Sequence, residues 1–428
     1  MTVDCGTVAH DTVAAAGAAG IDVIVTDHHT VGATLPGALA VVNPKRPDCA
    51  YPDEELCGAG LAWKLASLVT DRLHGDASAV EAELELVALA TVADLVPLRG
   101  ENRVLVQYGL RRLATPSPGL AALMAAAEVE PAEVGTGTLG FQIGPRINAA
   151  GRIGDGTDAL RLLLSEDPSE AGPLAERLDH LNRERRDKDA RTLDAALERL
   201  TEDFDPERDW GVVIAGQGWH PGVIGIVASR VVERIHRPVV MLAVEGKGAR
   251  GSARSIPGFH LYEALAACSG HLRRFGGHRQ AAGLDIDVER IPVFREAFNA
   301  AARERLSPEL LRPELRPDAD LDLAHADERL AHWLGYLGPH GIGNPGPLFL
   351  ARDLEVSSAR EVGSGHLKSI LRRGPVALDA IGFGMVASFP PDGFGRGRWD
   401  ALFRLERNEW RGRVSAQARL VDLRPSEG

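Results

Sequence analysis

Cysteine is sparse, confined to Cys5, Cys49, Cys57 and Cys268, with no Cys-x-x-Cys pair and no regular spacing. That scarcity excludes a disulfide scaffold, disfavours structural zinc, and predicts free thiols in a reducing cytoplasm. Long apolar runs are also absent. The best candidate, around Leu84 to Leu98, is interrupted by Glu85 and Asp94, whereas a bilayer span needs about 18 apolar residues in a row. Met1 leads straight into Thr2-Val3-Asp4-Cys5-Gly6 without a basic and then apolar leader, so no secretion signal and no membrane association are expected. Lysine occurs only at Lys45, Lys64, Lys188, Lys247 and Lys368, so guanidinium carries nearly all the positive charge. A compositional bias of the genome accounts for this at least as well as a demand for forked phosphate contacts. Tandem repeats and low-complexity tracts are absent.

What is there is a chain of 428 residues, 44% hydrophobic and 25% charged, long enough for about three domains at roughly 150 residues each. The formal charge of −12 argues against a wholly basic nucleic-acid coat. The charge is unevenly spread. Between Gly246 and Gln280 stand Lys247, Arg250, Arg254, Arg273, Arg274 and Arg279 against Glu263 alone, a stretch suited to holding an anion within an acidic protein.

The first residues read as strand, helix, strand: Thr2 to Asp4, an Ala-rich helix from Val8 to Ala19 stopped by Gly20, then Ile21 to Thr26. Such a βαβ unit makes the strands parallel and puts Asp4 and Asp27 at or just past strand carboxyl ends, where open α/β sheets build their sites. A short strand at Ala38 to Val42, a Pro-rich loop, and helices at Ala59 to Leu73 and Val80 to Ala93 follow, the last delivering Asp94. The charged, Leu-spaced run from Ser169 to Leu200 predicts a long connecting helix. A fresh α/β segment runs from the strand Gly211 to Ala215 to about Arg305. The remainder alternates in short strands, with a polar turn expected at Arg407-Asn408-Glu409, and predicts a small barrel.

The sharpest feature is Asp27-His28-His29 at a strand end, in one unit with Asp4 and upstream of Asp94. Carboxylates with imidazoles and no thiolate favour Mn²⁺ or Mg²⁺, with Zn²⁺ left open by donor type alone. Two such ions about 4 Å apart polarise a phosphodiester and lower the pKa of a bridging water. Ser252 and Arg254 lie two apart, so in an extended segment they share a face and could grip a terminal phosphate. Arg146 and Arg152 suit either a channel wall or ion pairs that hold the connecting helix. Trp219 and His220 suit either base stacking or a loop anchor, and Gly276 and Gly277 either close backbone approach or a tight turn between helices.

The chain resembles the DHH phosphoesterase family and, within it, the RecJ-like single-strand-specific 5′ to 3′ exonucleases. The matching runs, in order, are Thr2 to Gly6, Asp27-His28-His29, Val41 to Pro47, Ala93-Asp94, Arg146-Ile147-Asn148-Ala149-Ala150-Gly151-Arg152, Gly218-Trp219-His220, Gly251 to Gly258, Gly276 to Gly283 and Gly341 to Pro345. The resemblance implies Asp4, His28 and Asp94 as metal ligands, Asp27 orienting the histidines, and His29 contacting metal or phosphate. It implies Mn²⁺ or Mg²⁺ in a two-ion site. Arg146, Asn148, Arg152, Ser252, Arg254, Gly276, Gly277 and His278 become substrate contacts, with His278 on the scissile phosphate. The implied fold is α/β: a truncated DHH parallel-sheet domain over 1–165, a connecting helix over 166–205, a DHHA1-like domain over 206–306 and an OB-like barrel over 314–428. In that barrel Trp399, Phe403 and Trp410 are the candidates for stacking on bases.

Members of the family carry an Asp-x-Asp motif on a strand before the one bearing Asp4, and this sequence opens at the following motif. The expectation is a truncated start, with at best one weakly held metal, little nuclease activity and an under-paired first strand. Function is expected to be metal-dependent 5′ to 3′ hydrolysis of single-stranded DNA in recombination and repair, with single-stranded DNA, and by implication a helicase and a single-strand-binding protein, as partners. The alternatives are a non-catalytic single-strand-binding remnant and a phosphodiesterase for short oligonucleotides or cyclic dinucleotides.

Overall fold

The computed structural model describes residues 1–395, 397–410 and 412–426. Strands β1 (Thr2–Val3), β2 (Ile24–Thr26) and β3 (Ala40–Val42) form a parallel sheet in the order β1-β2-β3, and helix α1 (His10–Ala18) makes the β1 to β2 crossover. Val25 is fully buried and packs with Val13 and Val41, so the apolar centre of each element defines this small core. The sheet ends in β1 as an edge strand.

Four helices follow: α2 (Gly58–Arg72), α3 (Ala77–Ala82), α4 (Leu84–Ala93) and α5 (Gly100–Arg112). The single helix expected over Val80 to Ala93 is broken at Glu83, which caps one helix and opens the next. Helix α4 is apolar nearly all round and buried, as such a sequence requires. Gly109 of α5 packs backbone to backbone on α4, since an added Cβ would overlap the Leu84 carbonyl. Then come α6 (Pro118–Ala126) and α7 (Thr136–Thr138), the latter running through a π-helical turn at Leu139–Ile143 into α8 (Gly144–Ile153), and α9 (Gly156–Leu163).

The long run predicted from its leucine spacing is one helix, α10 (Pro168–Asp203), of 36 residues. Asp167 caps it by accepting from the Ser169 N–H at 2.8 Å. The next sheet has the order β4-β5-β6-β8-β7, from β4 (Val212–Gln217), β5 (Val239–Glu245), β6 (Gly248–Arg254), β7 (Arg274–Gly277) and β8 (Ala281–Asp287); only β4 and β5 pair in parallel. Helices α12 (Leu261–Ala267) and α13 (Ile291–Arg305) pack on it around Phe259, Phe294 and Phe298, whereas α11 (Ile224–Ile235) buries Ile224, Val227 and Val231 with Ile214, Met241 and Leu200 in a separate core.

After β9 (Ala319–Asp320) and α14 (Glu328–Gly335), the strands β10 (Phe349–Val362), β11 (His366–Arg373), β12 (Val376–Gly382), β13 (Trp399–Trp410) and β14 (Arg413–Pro425) close into a barrel, because β11 pairs with both β12 and β10. The expected turn at Arg407-Asn408-Glu409 is instead strand, paired with Ala416, Ser415 and Val414; the reversal comes beyond Trp410. Polarity was misleading there because an exposed antiparallel ribbon is polar as well.

Two compact units result: Met1–Pro116 with Val129–Gly144 and Leu315–Gly428, and Ser117–Glu128 with Pro145–Glu314. Within the first, the Leu98 N–H donates to the Ile342 carbonyl at 2.7 Å and the Thr136 hydroxyl to the His340 carbonyl at 2.7 Å. Among the described residues no helix is long and apolar enough to cross a membrane, and the four cysteines are free thiols.

Candidate metal centre and anion site

The first unit gathers Asp4, His28 and Asp94 at the carboxyl ends of β1 and β2 and at the end of α4. Nε2 of His28 lies 2.9 Å from Asp4 Oδ1 and 3.4 Å from Asp94 Oδ2. Donor atoms of Asp4, His28 and His29 all lie within 4.8 Å of one another. Local backbone aims both acids. Asp4 leaves β1 in the left-handed region (φ 63°), one of the few non-glycine types that tolerates it. Asp94 caps α4 and is followed by Leu95 in the same region (φ 57°), where a branched side chain is strained. Gly58 at the start of α2 meets Asp4 so closely that an added Cβ would lie 2.8 Å from its Cγ.

Asp27 is buried and accepts four hydrogen bonds. Oδ1 takes the N–H groups of His28 (2.8 Å) and His29 (3.1 Å) and the His29 ring at Nδ1 (2.7 Å), while Oδ2 takes the Thr7 N–H at 2.9 Å. Burial pushes this carboxyl up, but the bonds from Thr7 and His29 outweigh it and hold the group far below the usual carboxylate range. An anion fixed at Nδ1 of His29 sets that ring's tautomer and leaves Nε2 with its lone pair directed away. Asn43 ties the loops together, its side-chain amide donating to the Thr7 hydroxyl (3.0 Å) and the His29 carbonyl (2.9 Å).

Asp94 behaves oppositely. Burial, reinforced by the Asp4 charge and only partly countered by His28, pushes its carboxyl up. Two carboxylates facing one imidazole thus leave anionic charge that a divalent cation would neutralise, and the oxygen and nitrogen donor set fits a Mn²⁺- or Mg²⁺-like ion. Cys57, whose thiol is buried and pushed up by burial, caps α2 and stays outside the donor set.

In the second unit Ser252 and Arg254 project from one face of β6 onto the first turn of α11. A Cβ at Gly225 would lie 2.9 Å from both the Ser252 hydroxyl and the Arg254 guanidinium. Arg254 donates to Ser252 Oγ at 3.1 Å and to the Ala253 carbonyl at 2.8 Å, and among the described residues it has no carboxylate partner. Burial, then repulsion from Arg152, lowers its pKa from the ordinary arginine value. Arg152 is exposed and donates to the Gly222 carbonyl at 3.1 Å, in the loop that leads into α11. An unpaired guanidinium, a hydroxyl and a helix N-terminus make a cradle for an oxyanion.

The remaining candidates separate. Arg146 pairs with the buried Asp179 of α10 at 2.9 Å, the ion-pair alternative for that residue, while Asn148 lies exposed on α8. Gly276 and Gly277 are the last residues of β7, paired with Gly283 and Ala282 of β8, and the tight turn that starts at His278 joins strands rather than helices: the His278 N–H donates to the Ala281 carbonyl at 2.8 Å, and Gly277 has φ 145°. His278 itself is exposed. Trp219 wedges against Gly216, with the Arg199 guanidinium 5.2 Å from its ring, as a loop anchor. In the barrel Phe403 is core, Trp399 stacks edge-on against Phe394 with centroids 5.0 Å apart, and the side chain of Trp410 lies outside the described residues. Sequence reasoning assigned no role to Thr7, Asn43, Gly58 or Gly225. Only Asn43 carried a signal, as part of the quoted run Val41 to Pro47.

Comparison with known proteins gives the family context of the chain. Residues 1–91 match the DHH family N-terminal domain, 209–304 the DHHA1 domain and 317–422 the RecJ OB domain. The single-stranded-DNA-specific exonuclease RecJ of Salmonella typhimurium is 38% identical over 99% of this chain and 77% of its own length. The protein of that name in Bacillus subtilis is 37% identical over the whole chain and 54% of its own length. A crystal structure of RecJ in complex with Mn²⁺ from Thermus thermophilus superposes with a TM-score of 0.85 at 34% identity, covering all of this chain and 62% of that one. The chain thus spans about half the length of the Bacillus relative.

Proposed function

Because the chain belongs to the RecJ family of the DHH phosphoesterases, we propose that it binds single-stranded DNA by a 5′-terminal phosphate and supports metal-dependent hydrolysis of its phosphodiester bonds, releasing mononucleotides in the 5′ to 3′ direction. The observation that carries this reading is the convergence of Asp4, just past β1, and Asp94, at the end of α4, on Nε2 of His28 just past β2. Asp4, His28 and Asp94 would hold a divalent ion, which when bound supplies polarisation of a phosphoryl oxygen and acidification of a water. Asp27 keeps a proton on Nδ1 of His29 and so presents Nε2 to metal or phosphate. Ser252, Arg254 and the α11 N-terminus receive the terminal phosphate. Arg152, Asn148, Gly276, Gly277 and His278 serve as further strand contacts, and Arg146 serves by fixing α8 to α10. The working division follows the expected boundaries, with a catalytic portion over 1–165, α10 as connector, a substrate-binding portion over 206–306 and a strand-tracking barrel over 314–428.

A second reading, a module that grips single strands without cutting them, is favoured by the donor count. Among the described residues Asp4, His28 and Asp94 gather as one candidate cation site, whereas in-line displacement clamped on both attacking and leaving oxygens uses two ions. The experiment is incubation of the chain with Mn²⁺ or Mg²⁺ and 5′-phosphorylated single-stranded DNA, duplex DNA or a dinucleotide. The first reading expects mononucleotides from the single strand alone. Retention of the strand without product supports the second, and preferential hydrolysis of the dinucleotide contradicts both.

A further inference from the structure

Phe141 is 86% exposed, more than any other large apolar side chain among the described residues. It sits in the π-helical turn Leu139–Ile143, a local widening that marks functional segments in helices, where the extra residue is pushed outward. The placement of that turn is tightly fixed. Gly140 packs on Val92, with an added Cβ 3.5 Å from Val92 Cγ1, and Gly144 packs on Ala93, with an added Cβ 3.3 Å from Ala93 Cβ and 2.9 Å from the Leu139 carbonyl. Val92 and Ala93 are the two residues before Asp94. Two glycines therefore seat the turn against the last residues of α4, the helix that ends at Asp94, and the ring between them is open to water.

A lone exposed apolar residue is ordinary, but its position here is not. Leu139 and Ile143 of the same turn are fully buried and anchor its backbone, while Phe141 between them stays exposed. We propose that Phe141 is a base-stacking residue: a nucleobase close to the scissile phosphate lies on its ring while the phosphate meets the Asp4, His28 and Asp94 centre. An aromatic face accepts any base, so this contact selects unpaired strands without reading sequence, and a base locked in a duplex stack cannot make it. The inference rests on the single-strand reading above and adds to it a determinant of strandedness that lies outside the metal and phosphate groups.

The test measures binding of the full chain, in EDTA, to two 5′-phosphorylated oligonucleotides of equal length, one normal and one abasic at its first nucleotides. Wild type is expected to prefer the base-bearing strand by about 10-fold, within the range measured for one base on one aromatic ring. Phe141→Ala should lose that preference while binding the abasic strand as wild type does, and Phe141→Trp should keep it. An undiminished preference in Phe141→Ala overturns the proposal and leaves the single-strand reading standing. Failure of wild type to bind either strand overturns that reading and the proposal with it. Since the side chain is exposed and contributes little to packing, an unchanged thermal midpoint of Phe141→Ala confirms that the comparison is between folded proteins.

Discussion

Gly58 opens α2 directly against the carboxylate of Asp4, with room for hydrogen and nothing larger. The contact positions the proposed metal-binding carboxylate through backbone alone. A methyl group there must displace Asp4 from Nε2 of His28. Gly58→Ala is expected to weaken Mn²⁺ binding by about 10- to 100-fold, the range seen when groups supporting a ligand are altered. Isothermal titration with Mn²⁺ measures this, and circular dichroism should show the fold unchanged.

Leu95 is the counterpart at the other acid, strained in the left-handed region and two-thirds exposed, so its side chain contributes little. Leu95→Gly should relieve about 1 kcal/mol of that strain, partly offset by glycine's entropy in the unfolded chain. Urea denaturation is expected to show stability unchanged or slightly raised, in contrast to the loss usual for Leu→Gly.

In the second unit, Arg254→Ala should weaken binding of 5′-phosphorylated single strands by about 10- to 100-fold, on the scale of a charge-assisted contact. Binding of the same strands with a 5′-hydroxyl should change little. Ser252→Ala should act in the same direction with a smaller effect. Fluorescence anisotropy with the paired oligonucleotides separates a terminal-phosphate contact from general loss of positive charge, which would lower both affinities equally.

Asp400 in the barrel offers a pH test away from the metal centre. Burial pushes its carboxyl up, but bonds from the Ser426 hydroxyl, the Asp353 N–H and Arg424 more than offset that and hold it below the ordinary value. With the folded pKa depressed, its stabilisation is complete above the unfolded value of about 3.9 and fades as pH falls toward the folded one. Asp400→Asn should therefore cost about 1–3 kcal/mol near neutrality and nothing at the acid end, a difference that denaturation at two pH values reads directly.

Much of this architecture was legible in the sequence where periodicity and punctuation agree. Gly20 after an Ala-rich helix gave the βαβ unit and so the neighbourhood of Asp4 and Asp27; the leucine spacing gave α10. The candidate metal centre was legible because its residues are chemically conspicuous and lie at element ends, Asp4 and His28 past strands and Asp94 past a helix. The supporting contacts were not. Gly58 against Asp4, Gly225 under Arg254 and the pairing of Arg146 with Asp179 join segments far apart in sequence, and a glycine selected for closeness looks like any turn glycine. Phe141 was hidden for another reason. Apolar residues signal burial, and only coordinates distinguish one facing the core from one pushed outward by a π turn. The same ambiguity made Arg407 to Glu409 read as a turn when they continue a strand.

The central claim is that Asp4, His28 and Asp94 form one divalent-cation site. Free Mn²⁺ followed by electron paramagnetic resonance during titration of the chain tests it most directly. The account predicts uptake of Mn²⁺ that Asp94→Asn and His28→Ala each weaken at least 10-fold, while Arg254→Ala leaves it unchanged. Equal Mn²⁺ uptake by wild type, Asp94→Asn and His28→Ala would contradict it.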